Sequence, residues 1–224
     1  VARAYNVNDL LNKNFELMPF TGPWRKSFGR PCKQFSMMIM GPSGEGKTEL
    51  AIKLAKYLAG FGKVAYDSIE QGFSHTLKMA VERNHLQEVA DSFLILDKED
   101  LPALTKRLRK QRSPDFLVID SLQYLRATKD EYFEFKNEFY PKKGIIYISH
   151  QDGNDPKGAL AKDVWFDVDI HVRVEGFKAF PSKRLNGGGE PYVIDAVRAA
   201  KFHGKIKENN SNNENNLRNP KNDT

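Results

Sequence analysis

The stretch MMIMGPSGEGKTEL, residues 37–50, decides the fold: an apolar run fit for a buried strand breaks at three glycines and closes on Lys-Thr. Within it, GPSGEGKT from Gly41 to Thr48 fits G-x-x-x-x-G-K-[ST], and a segment of helical period follows. Glycines let successive backbone N–H groups point inward at an anion, and a helix N-terminus adds its partial positive charge. In such a turn Lys47 reaches the β/γ-phosphates and the Thr48 hydroxyl can ligate Mg²⁺. We therefore assign Gly41, Pro42, Ser43, Gly44, Glu45, Gly46, Lys47, Thr48 and Glu49 to a turn that holds a nucleoside triphosphate.

Downstream, TELAIKLAKYLAG places Leu50, Leu54 and Leu58 four residues apart beside Ala51 and Ala55, which gives one apolar helix face, and Gly60 can close the helix. The same rhythm repeats. Short apolar or β-branched runs (VAYDSI, SFLIL, DFLVID, GIIYIS) alternate with helical-period segments (FSHTLKMAVERN, EDLPALTKRLRKQ). That alternation predicts a parallel sheet with crossover helices. After residue 163 the pattern becomes strict: Val168, Ile170, Val172 and Val174 against Asp169, His171, Arg173 and Glu175. This predicts half-exposed antiparallel strands extending the sheet.

Phosphate binding alone hydrolyses nothing, so acids at other strand ends matter. In DFLVIDSLQYL the buried run Phe116–Ile119 ends on Asp120, placed to hold the Mg²⁺ shell as a Walker B acid does. In VAYDSIEQG, Glu70 at the strand end can orient and deprotonate the attacking water. Asp67 is its rival. Strand alternation puts Asp67 and Ile69 on one face and Ser68 and Glu70 on the other, and Glu70 lies nearer the end where open α/β sheets bind ligands, so Glu70 is preferred. GIIYISHQDG runs a strand into His150 and Gln151, either of which could sense the γ-phosphate.

At 224 residues the chain is expected to form one domain, over residues 35–206, with a lead-in segment at 1–34. The Asn-rich stretch KENNSNNENNLRNPKNDT at its end has almost nothing apolar to bury, so 207–224 is expected to be a disordered tail. No apolar run of membrane-spanning length and no secretory signal is visible, so a soluble, cytoplasmic chain is expected. The single Cys32 makes no intrachain disulfide and suggests a reducing compartment without a structural metal. From Lys207 onward basic and acidic residues cancel, so the net charge of +6 sits on the folded part. A polyanion partner is permitted; a solvated surface richer in Lys than Glu is the simpler account.

Taken together, GPSGEGKT, VAYDSIEQG, FLVIDSLQYL, GIIYISHQDGNDPKGALAKDVWFDVDIHVRVEG and SKRLNGGGEPYVI resemble the RecA-like ATPases, most closely the RadA/DnaB branch. The resemblance spans roughly residues 35–195, in a core-only form of the kind that phages and mobile elements carry. It implies an α/β RecA-like P-loop core: a mainly parallel twisted sheet, helices on both faces, and an antiparallel β extension. It further implies ATP and Mg²⁺ bound between neighbouring subunits of a ring or filament, with hydrolysis coupled to movement along single-stranded DNA. Residue by residue, it implies Lys47 for phosphate, Thr48 and Asp120 for magnesium, Glu70 for water activation, and His150 or Gln151 as a switch. Lys183 and Arg184 resemble the basic pair that reaches a neighbour's ATP site.

Residues 124–143, YLRATKDEYFEFKNEFYPKK, correspond to a first DNA loop and the helix after it. Aromatics among cations suit base stacking and phosphate tracking. Tyr132, Phe135 and Phe139 at helical spacing equally suit a core face, which is the reading we adopt. The second loop, QDGNDPKGALAKD, offers Lys157 and Lys162 against three aspartates, a weak footprint. The cluster TKRLRKQR at 105–112 reads as a solvated helix end. Two rivals stand beside the DNA motor. One is a regulatory ATPase switch of RadA/KaiC type acting on a protein partner; the other, a small-molecule kinase, lacks an Arg-rich lid between the Walker segments.

Overall fold

The computed structural model describes residues 4–182 and 188–204. The elements run α1 (Val7–Leu11), α2 (Gly22–Phe28), β1 (Ser36–Gly41), α3 (Lys47–Leu58), β2 (Val64–Ser68), α4 (His75–Arg83), β3 (Phe93–Leu96) and α5 (Leu101–Leu108). There follow β4 (Phe116–Asp120), α6 (Lys129–Phe139), β5 (Gly144–Asp152), β6 (Asp155–Pro156), α7 (Ala159–Asp167), β7 (Ile170–Glu175), β8 (Lys178–Pro181) and β9 (Tyr192–Val193). Four of these helices begin where a side chain satisfies a free N–H: Ser74 accepts from Leu77 and Asp100 from Ala103, while Asn6 with Asp9 and Thr128 with Glu131 form reciprocal boxes.

The strands form one sheet in the order β3-β2-β4-β5-β1-β7-β8-β9, with β6 paired to β5. From β3 through β7 the neighbours are parallel. β1, β2 and β4 are buried along their whole length, as strands covered on both faces must be. Leu50, Leu54 and Leu58 of α3, with Leu77 of α4, cover one face together with Met37, Tyr66, Val118 and Ile148. Leu104 of α5, Phe135 of α6 and Val164 of α7 cover the other, against Met38, Leu117, Ile119 and Tyr147. The mixed α/β class, the mainly parallel sheet and the helices on both faces are thus present.

The antiparallel extension expected toward the C-terminus is present as β7-β8-β9. β7 is parallel to β1 on one side and antiparallel only to β8 on the other. Alternation along 168–175 reports that one face is covered (Ile170, Val172, Val174) and the other exposed at Arg173 and Glu175; strand direction is set by the crossover through α7, which alternation cannot register. The lead-in segment contributes side chains to the core. Met18, Phe20 and Phe28 are buried there, Leu17 bridges to Cys32, and Trp24 stacks on Tyr57 and Tyr192 at ring separations of 5.3 and 4.3 Å. The expected tail at 207–224 and the pair Lys183/Arg184 lie outside the described residues. Among the described residues no helix is long and apolar enough to cross a membrane.

Candidate nucleotide site

β5 lies between β1 and β4, so the carboxyl ends of these strands bring the phosphate loop, Asp120 and His150 to one edge. A cleft of about 660 Å³ opens there, lined by Lys47, Thr48, Glu70, Asp120 and His150 among others. The loop itself needs its glycines. A Cβ on Gly41 would come within 2.2 Å of the Val174 carbonyl oxygen, and Gly46, which caps α3, has φ +105°. The first turn of α3 then leaves its N–H groups without intrahelical acceptors, facing the loop.

Lys47 donates from Nζ to the Pro42 carbonyl at 2.7 Å. Burial lowers its pKa, against the opposing pull of Asp120, Glu70 and Glu45. Asp120 Oδ2 accepts from Thr48 Oγ1 at 3.1 Å and from the Tyr66 hydroxyl at 2.6 Å. Desolvation pushes the Asp120 carboxyl up, and those two hydrogen bonds pull the other way. The Asp120–Ser121 peptide is cis. Glu70 faces the same cleft: its N–H donates to the Asp120 carbonyl at 2.9 Å, and its Oε2 accepts from Ser121 Oγ at 3.1 Å and lies 3.1 Å from His150 Nε2. A hydroxyl and a carboxylate in contact are hard oxygen donors that fit Mg²⁺, with phosphate and water completing the shell.

Other members of the expected set are placed differently. The Glu45 carboxylate accepts from Gly176 N–H at 2.8 Å, tying the loop to the β7–β8 turn. Glu49 also lines the cleft but is engaged by α4, accepting from Arg83 Nε at 3.1 Å, with Lys53 at 3.8 Å. Burial raises the Glu49 pKa, and hydrogen bonds from Arg83 and Asn84 outweigh it to leave it lowered. The Gln151 side chain donates to the Gly153 carbonyl within the β5–β6 hairpin, because alternation sends His150 and Gln151 to opposite faces; His150 is the one lining the cleft. Asp67 is likewise on the face opposite Glu70. Its Oδ1 accepts from Glu99 N–H at 3.2 Å, its Oδ2 has no hydrogen-bond partner among the described residues, and burial raises its pKa to about 7.

Sequence reasoning missed Tyr66, Arg83 and Gln123. Gln123 accepts from His150 N–H at 3.0 Å and donates to the Lys157 carbonyl at 2.8 Å, joining the end of β5 to the following loop. Only for Tyr66 was a signal present: it alternates in phase with Glu70, which follows β2 by two residues.

Tyr132, Phe135 and Phe139 are buried in the core beneath α6. Phe133 stays at the surface between Lys129 and Lys136, whose ammonium groups sit 5.6 and 5.5 Å from its ring and pair with Asp163 and Asp167. In the basic cluster, Arg107 pairs with Glu99 and Arg109 with Glu138, leaving Lys106, Lys110 and Arg112 exposed.

No protein-family model matches the chain, and no curated protein sequence matches it. Among solved structures it is similar to the flagellar accessory protein FlaH from Methanocaldococcus jannaschii, at 18% identity and a TM-score of 0.51, covering 71% of this chain and 87% of that one. At that identity the likeness concerns fold alone, and with the sheet order and phosphate-loop geometry it establishes a RecA-like P-loop fold.

Proposed function

We propose that the protein is a Mg²⁺-dependent ATPase of the RadA/DnaB type that self-assembles and acts on single-stranded DNA in recombination, repair or replication. One observation carries the ATPase reading: Glu70, Lys47, Thr48 and Asp120 line a single cleft. Lys47 exchanges the Pro42 carbonyl for phosphate oxygens, and the free N–H groups of the loop and of α3 cradle them. Thr48 and Asp120 hold Mg²⁺, which neutralises charge on the phosphates. Glu70 would take the proton of the attacking water, its carboxylate held at Oε2 by Ser121 and His150.

The DNA reading rests on the family resemblance and the basic fold. A second reading, an ATP-driven switch acting on a protein partner, is favoured by the burial of Tyr132, Phe135 and Phe139, which removes the main stacking surface from the first loop. Steady-state ATP hydrolysis with and without single-stranded DNA, at low and high salt, separates the two, with Glu70→Gln as the blank. Stimulation that fades with salt supports the motor; a slow rate indifferent to DNA supports the switch.

A further inference from the structure

We propose that Tyr66 is a positioning residue for the metal-binding acid: its hydroxyl, fixed in the core, orients the Asp120 carboxylate toward the cation. This rests on the ATP–Mg²⁺ reading above. Tyr66 is only 1% exposed and shares its core with Leu50 and Leu54 of α3. Its ring stacks on Phe93 with centroids 6.2 Å apart, so neighbours on β3 and α3 hold it in place. A phenylalanine would fill that volume equally well. Burying a hydroxyl costs free energy unless it is bonded, and here it donates to Asp120 Oδ2 at 2.6 Å, the shortest contact that carboxylate makes among the described residues.

The consequence is directional. A carboxylate turns readily about its last bond, so one hydrogen bond leaves its plane loosely set. Asp120 receives two on the same oxygen, from Thr48 on α3 and Tyr66 on β2, and neither uses Oδ1. Thr48 is itself a metal ligand in this reading and belongs to the loop that responds to nucleotide, whereas Tyr66 is anchored in the sheet. Tyr66 on β2 meets Asp120, and Glu70 in the turn that follows β2 meets Ser121, so one strand and its exit turn position both the metal acid and the base.

Tyr66→Phe tests this, with Phe93→Leu as a packing control that keeps the hydroxyl. Binding of a fluorescent ATP analogue is measured in EDTA and then across a Mg²⁺ titration, alongside the melting temperature of the free protein. Tyr66→Phe is expected to bind the analogue unchanged in EDTA but to need about tenfold more Mg²⁺ for half-maximal tightening, while Phe93→Leu keeps the wild-type Mg²⁺ midpoint. A Tyr66→Phe midpoint equal to wild type overturns the proposal, as does an equal shift in both variants. Wild-type protein that binds no analogue with or without Mg²⁺ overturns the ATP reading itself, a different result from either.

Discussion

In the proposed ATPase reading Lys47 binds phosphate and Glu70 activates water, and their substitutions should fail differently. Lys47→Ala removes charged hydrogen bonds to phosphate and is expected to weaken ATP binding by about tenfold to a hundredfold, measured by equilibrium binding. Glu70→Gln keeps the hydrogen bond from Ser121 and should retain binding while slowing hydrolysis by about 10²–10⁴-fold, read in single-turnover assays. An unchanged rate would take the base role from Glu70. Asp67 carries a different consequence. Its carboxyl, pushed up to about 7 by burial, holds a proton in the folded chain that the unfolded chain releases near its ordinary 3.8. The folded state therefore binds the extra proton between these values, so stability from this group is full below about pH 4 and is lost as pH rises to about 7. Asp67→Asn should flatten that slope and gain about 1–2 kcal/mol at pH 8, measured by urea unfolding of both proteins across pH.

At the scale of elements, the β1–α3 turn depends on how closely β7 approaches. The Val174 carbonyl lies where a Gly41 side chain would be, and Glu45 holds the loop to the β7–β8 turn through Gly176 and Phe177. Gly41→Ala must therefore separate β1 from β7 at the phosphate end. The expected cost is about 2 kcal/mol of stability together with weaker nucleotide binding, checked by denaturant unfolding and binding on the same preparation. Elements also explain what was legible. β1, β2, β4, β5, α3 and α4 around the cleft follow from periodicity, because buried strands and amphipathic helices leave apolar patterns of different period; the helical segment at 196–204, which also lines the cleft, was not read from the sequence. α2 left no comparable pattern: Trp24 belongs to an aromatic stack with Tyr57 and Tyr192, contributed by three distant segments.

For the molecule as a whole, the cleft lies at the carboxyl ends of the central strands, and in the proposed self-assembling form a neighbouring subunit would complete it. Hydrolysis per chain is then expected to rise with protein concentration in step with mass measured by light scattering. A rate per chain that stays flat while mass increases would separate assembly from turnover. The surface charge places demands on any DNA partner as well: Arg107, Arg109, Lys129 and Lys136 are each paired with an acid of this chain, so they are poorly available for phosphates.

Residue type and spacing along the chain were enough for the phosphate loop, the acids at the strand ends and the class of fold, because backbone turns, strand ends and helix faces are local or periodic properties. They also put Glu70 and Asp67 on opposite sides, since alternation along neighbouring residues is itself local. What folding alone decided was which side chains meet across strands: Tyr66 with Asp120, His150 and Ser121 with Glu70, Glu49 with Arg83, and the aromatics of α6 with the core. Those pairings depend on strand order and crossover direction, which place residues tens of positions apart in contact and leave no periodic trace in the chain.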